Sequence, residues 1–179
     1  TLLVLGSTSF AGAWLVRQAL DHGMDVVGVS RSPEPDHMFL PYRDSAYIEN
    51  FKYHRLDVNK DTEAIIALLL EVQPAFIADF AGQGMVAPSW DWPEQWYTTN
   101  VASKARIINA INNHSFCKRY LRVSTPEVYG STEDPIDETA SYNPSTPYSV
   151  SHAAIDLHLS TYFKQFNFPV FVDSGTDYN

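Results

Sequence analysis

The chain has 179 residues, of which 45% are hydrophobic and 18% charged, a length and balance that favour one globular domain over a disordered segment. Its formal charge of −9 and the lack of any basic stripe exclude a nucleic-acid backbone as the expected partner. No apolar run approaches the length of a membrane span.

Residues 1–5 are apolar, short and without a basic leader, and so read as a buried first strand rather than a signal peptide. Over 11–22, Trp14, Leu15, Ala19 and Leu20 recur at helical spacing, and Gly23 stands where a helix would stop. A second strand is expected over 24–30. Residues 31–51 carry Pro33, Pro35 and Pro41 and little periodicity, which predicts a long loop with at most a short helix. A short third strand over 53–56 precedes a helix over 62–72, stopped near Pro74, and a fourth strand over 75–80. After a loop rich in Pro and Trp over 85–92, a long helix is expected over 93–112, with Pro93 in its first turn. Trp90, Trp92 and Trp96 at this junction read as packing residues. A fifth strand over 119–124, a polar loop over 132–147, a helix over 148–166 and a sixth strand over 170–173 complete the pattern. The acidic stretch 133–138 in that loop reads as a solvated face.

Strands separated by helices predict an α/β fold: a doubly wound parallel sheet of Rossmann type, in three α/β/α layers. Ligands of such sheets lie beyond the carboxyl ends of the strands, where the strand order switches. The single cysteine, Cys117, excludes an internal disulfide framework, fits a reducing compartment and reads as a partly buried thiol before a strand. His54, His114 and His158 have no ligand-like spacing, so no metal is expected.

The motifs fall at those strand ends. Gly6-Ser7-Thr8-Ser9-Phe10-Ala11-Gly12 follows the first strand and opens the first helix. Gly6 permits a tight turn, Gly12 permits close helix–strand approach, and the helix N-terminus offers free N–H groups to a pyrophosphate. At the end of the second strand, where an acid would hold the ribose diol of NAD, stand Ser30-Arg31-Ser32; a cation with two hydroxyls suits the 2′-phosphate of NADP better. Ser124-Thr125-Pro126-Glu127-Val128-Tyr129-Gly130 follows the fifth strand. Tyr148 and His152, at i and i+4, share one face of the next helix.

Over 3–172 these motifs together resemble the extended short-chain dehydrogenase/reductase family of sugar-nucleotide enzymes. The resemblance implies that Gly6, Ser9, Phe10 and Gly12 hold the dinucleotide phosphates, that Asp57 meets the adenine amino group beside Val58, and that Phe80, Ala81 and Gly82 run under the cofactor. It implies that Asn100 positions the catalytic groups, that Tyr148 is the base on a sugar hydroxyl, and that Thr125 hydrogen-bonds the same oxygen. Glu127 matches the base that removes the C5 proton in sugar-nucleotide 4,6-dehydratases, the members most similar here; some 4-epimerases and decarboxylases also carry it.

Three positions depart from the family pattern. Ser9 replaces a glycine, so its Cβ is expected to crowd the phosphates or to demand a strained dihedral, although its hydroxyl can donate a hydrogen bond. Pro126 replaces the residue that helps expel the C6 hydroxyl. His152 replaces the Lys whose charge lowers the tyrosine pKa from about 10. The implied protein is a cytoplasmic, homodimeric enzyme using NADP rather than NAD on a nucleotide-linked hexose, without nucleic-acid or membrane partners. The alternative is a degenerate protein that binds the dinucleotide without turnover. The family's C-terminal substrate domain is expected to be absent from these 179 residues, which would form the dinucleotide-binding domain alone.

Overall fold

The computed structural model describes residues 1–132 and 135–174. Glu133 and Asp134 of the acidic stretch, and 175–179 of the terminal tail, lie outside the described residues. Six parallel strands stand in the order β3-β2-β1-β4-β5-β6. They are β1 Leu2–Leu5, β2 Val26–Ser30, β3 Phe51–Arg55, β4 Phe76–Asp79, β5 Arg119–Val123 and β6 Val170–Asp173. The expected doubly wound sheet is therefore present, and its order reverses between β1 and β4.

Strand alternation sorts the core into two layers. Leu2, Val4, Val26 and Ala78 face helix α1 (Phe10–Asp21) through Ala13, Val16 and Leu20. Leu3, Leu5, Val27, Val29, Ile77 and Tyr120 face the opposite helices, α2 (Thr62–Val72), α4 (Ser103–Asn112) and α5 (Pro147–Phe166). Ile65, Leu69, Ile107, Ile108, Ile155 and Leu159 fill that second layer.

Several expectations need adjustment. The segment 31–51 holds three 3₁₀ turns, at His37–Phe39, Pro41–Asp44 and Ile48–Asn50. Leu40 and Tyr42 are buried in the α1 layer, so this segment is part of the core covering. The long helix opens as α3 (Pro93–Trp96), passes through a π-helical segment, Tyr97–Ala102, and continues as α4. π-turns within helices cluster at functional sites, and this one carries Asn100. Trp96 is buried as expected, whereas Trp90 and Trp92, read as packing residues, are more than half exposed. Cys117 is half-buried just before β5. Among the described residues no group of His, Cys, Asp or Glu could hold a metal ion, and no helix is long and apolar enough to cross a membrane.

Candidate active site

The turn after β1 is built around two glycines that nothing larger could replace. Gly6 has φ +81°, and a Cβ there would lie 2.7 Å from the Ala81 amide nitrogen. A Cβ on Gly12 would lie 2.3 Å from the Gly6 carbonyl oxygen. Ser9 caps α1: its Oγ donates to the Gly6 carbonyl at 2.7 Å and accepts from the Gly12 amide at 3.1 Å. Its φ of −69° is ordinary, which corrects the expectation of strain at this position. The hydroxyl replaces a glycine's freedom with a fixed cap. The N-terminus of α1 opens at this turn, and the first-turn amides of a helix suit an anion.

A cleft opens beside this turn, at the switch in strand order. Gly6, Ser9, Arg31, Asp57, Ala81 and Gly82 are on its wall, with Ser30, Ser32, Val58 and Phe80. Phe10 and Gly12 are not; Phe10 is 85% exposed, and Gly12 serves packing. Ser30 is buried, and its Oγ accepts from the Thr8 amide at 3.1 Å, so it ties the turn to β2. Arg31 and Ser32 are exposed. Asp57 accepts at Oδ1 from the Asn59 amide at 2.8 Å and still lines the cleft. The glycine cradle, the helix N-terminus and the exposed Arg31 together fit a phosphate-bearing dinucleotide.

Thr125, Glu127, Tyr148 and His152 are not on the cleft wall; they lie farther along, on the β5 and α5 side. Thr125 is extended and buried, and its Oγ1 accepts from the Glu127 amide at 3.3 Å, capping the 3₁₀ turn Pro126–Tyr129. Val128 and Tyr129 of that turn pack on Ala153, holding Glu127 close to the first turns of α5. Tyr148 is half-buried near the start of α5, where Thr146 and Ser149 form a reciprocal capping box. Its amide donates to Ser89 Oγ at 3.2 Å. Asn100 joins the two halves. Its Oδ1 accepts from the Gln83 amide at 2.7 Å, and its Nδ2 donates to the Gln83 carbonyl at 3.1 Å and to Ser151 Oγ at 2.9 Å. Ser151 Oγ donates in turn to the Tyr148 carbonyl at 2.6 Å.

His152 is 7% exposed and faces the sheet. Burial, the Arg122 guanidinium and the Lys104 ammonium push its pKa down to about 3, so it carries no charge at neutral pH. Behind it lies a cluster of charges that the sequence motifs do not include. Lys104 is fully buried; it donates to Asp79 and, at 2.6 Å, to the Ala81 carbonyl, and desolvation lowers its pKa to about 8 against the opposing pull of Asp79. The Tyr120 hydroxyl donates to Asp79 at 2.9 Å. Arg122 donates from Nη2 to His152 Nδ1 at 3.0 Å, and its Nε lies 3.6 Å from Asp156 Oδ1. Asp156 accepts from the Ser124 hydroxyl, and its burial raises its pKa. Asp79 and Arg122 share strand parity with Ile77 and Tyr120, so charges at those inward positions were the available signal. Arg55 was also missed. It is the parallel register partner of Ser30, and its Nε donates to the Arg31 carbonyl at 3.3 Å, placing a second cation beside Arg31.

The sequence model of the family described as GDP-mannose 4,6 dehydratase matches residues 3–175. The chain belongs to that family. It is 29% identical over 159 residues to a GDP-mannose 4,6-dehydratase of Vibrio cholerae, covering 83% of this chain and 42% of that protein. It is 27% identical over 183 residues to a probable dTDP-glucose 4,6-dehydratase of Sinorhizobium fredii, covering 97% and 52%. The chain thus spans about half the length of these relatives. Among solved structures, a UDP-glucose 4-epimerase of Thermus thermophilus in complex with NAD superposes with a TM-score of 0.82 at 22% identity, over 96% of this chain and 53% of that one. A dTDP-glucose 4,6-dehydratase double mutant of Streptomyces venezuelae with NAD bound gives 0.79 at 23%, over 96% and 54%. These likenesses confirm the Rossmann fold of the family.

Proposed function

We propose that this chain is the dinucleotide-binding part of an NADP-dependent sugar-nucleotide 4,6-dehydratase. The observation that carries the reading is the capped turn on which Thr125 and Glu127 stand one residue apart, packed against the helix that bears Tyr148. A bound nicotinamide would supply reversible hydride transfer, oxidising C4 of the hexose and reducing C6 after water is lost. The Gly6 turn and the N-terminus of α1 would hold the pyrophosphate of the dinucleotide. Arg31, with Arg55 beside it, would pair with the 2′-phosphate that distinguishes NADP from NAD. Thr125 Oγ1 donates to the C4 oxygen, and Tyr148, as its phenolate, takes the proton of the C4 hydroxyl and becomes the neutral phenol. Glu127 then takes the C5 proton, which the neighbouring ketone acidifies. Pro126 has no group that could protonate the departing C6 hydroxyl, so that acid comes from elsewhere in the site. The same reading makes the protein a cytoplasmic homodimer, a state supported by exposed Leu157 and Phe163 on α5.

The test uses the full-length protein with NADP or NAD and with GDP-mannose or dTDP-glucose, followed by NMR for a 4-keto-6-deoxy product. Product formation supports the reading. Dinucleotide binding with no product from either sugar between pH 5 and 9 overturns it in favour of a second reading, a binder without turnover. One observation favours that second reading: His152 carries no charge where the family pattern supplies a lysine.

A further inference from the structure

Arg122 is oddly placed for a structural ion pair. It is 2% exposed, and its Nε has no hydrogen-bond partner. Asp156 Oδ1, the nearest carboxylate oxygen to that nitrogen, is likewise unpartnered at 3.6 Å. Asp79, on the adjacent strand, is already engaged by Lys104 and Tyr120. Burying a guanidinium with incomplete pairing is costly, and an apolar side chain at position 122 would serve stability better. The hydrogen bond Arg122 does make is with the residue one helical turn from Tyr148.

That bond decides a proton position. A guanidinium only donates and stays protonated, so Nδ1 of His152 must be the acceptor. An uncharged imidazole with an accepting Nδ1 carries its hydrogen on Nε2. Among the described residues Nε2 makes no hydrogen bond, and the ring lies beside that of Tyr148 with centroids 4.7 Å apart. A cation bonded to one ring nitrogen polarises the ring and strengthens the donor at the other.

We propose that Arg122 and His152 act as a pair in place of a single cationic side chain: Arg122 supplies the positive charge from β5, and His152, held as the Nε2–H tautomer, supplies the donor toward Tyr148 and the ribose of the dinucleotide. The proposal rests on the reading that a dinucleotide lies against the Gly6 turn. Arg122 touches neither substrate nor cofactor and is a positioning residue. The charged and titratable groups around the ring are Tyr148 and Asp156 on α5, Arg122 on β5, Lys104 on α4 and Asp79 on β4.

The experiment is long-range ¹H–¹⁵N NMR of the full-length protein labelled at histidine, with His152 assigned by its loss in His152→Asn. An acceptor-type Nδ1 and a protonated Nε2, unchanged between pH 7.5 and 5, are expected, and NADP should move the Nε2 resonance most. Arg122→Met should mix the tautomers, let the ring titrate within that range and weaken NADP binding by about tenfold, one hydrogen bond's worth. Arg122→Lys should restore the tautomer. An imidazolium or an Nδ1–H ring at pH 7 in the unmutated protein overturns the proposal, even where Arg122→Met fails to fold. So does an unaltered His152 spectrum in a folded Arg122→Met. Failure of the dinucleotide reading looks different: the tautomer is as expected, but neither NADP nor NAD binds or moves Nε2, which overturns the cofactor half of the proposal.

Discussion

Acid should loosen this fold through His152. In the unfolded chain the imidazole takes its proton near pH 6.5, whereas in the folded protein burial, Arg122 and Lys104 defer that to about pH 3. Between those values the unfolded state binds the extra proton, so stability is complete above 6.5 and falls as pH drops toward 3. At about 1.4 kcal/mol per pH unit the ceiling is roughly 5 kcal/mol, of which about 2 kcal/mol is lost by pH 5. Asp156 opposes this: its raised pKa means that the folded state gains a proton more readily as pH falls. The contribution of His152 is therefore isolated by comparison with His152→Asn, whose side-chain oxygen can accept from Arg122 but does not titrate. Urea unfolding of both proteins, followed by far-UV circular dichroism at pH 7.5 and pH 5, should show the unmutated protein losing about 2 kcal/mol more than the variant. Equal losses would refute the assignment of a buried, uncharged imidazole.

Gly6→Ala forces a Cβ to within 2.7 Å of the Ala81 amide at φ +81°; it should cost about 1–3 kcal/mol and abolish dinucleotide binding by calorimetry. Lys104→Met leaves the Asp79 carboxylate buried without its cation and should cost about 3–5 kcal/mol in urea unfolding, much of it recovered in Lys104→Met/Asp79→Leu. His152→Lys sets an ammonium against the Arg122 guanidinium and should lower the melting temperature, while His152→Lys/Arg122→Met, with one cation in place of two, should regain it.

The fold could be read from the sequence because its signals are local: apolar runs of strand length, Gly23 and Pro74 as stops, and Pro93 as a start. The doubly wound parallel sheet and the glycine turn follow from the same pattern, whereas the strand order came from the structure. Harder to read were features set by partners distant in sequence. Residues 31–51 looked like open loop because Leu40 and Tyr42 find apolar neighbours only once the chain has folded, in the α1 layer and, for Tyr42, on the ring of Phe51. The π-segment leaves no mark in hydrophobic spacing, since its Asn100 is placed by Gln83 and Ser151. His152 announced itself by departing from a motif. Arg122, thirty positions earlier, did not, because a charge in a strand discloses its burial only once the helix that covers it is known.

The charges behind the site also act as a key for assembling the sheet. Asp79 and Arg122 are register partners on the parallel strands β4 and β5, each facing the α4 and α5 layer. A one-residue slip of β4 would turn Asp79 toward the opposite layer, among Leu2, Val4 and Ala13, and strand Lys104 with no anion. A purely apolar β4 would tolerate such a slip at modest cost, because either face offers it similar neighbours. With ions at the strand end, the misaligned sheet carries two uncompensated buried charges, and the aligned one is the pairing that survives.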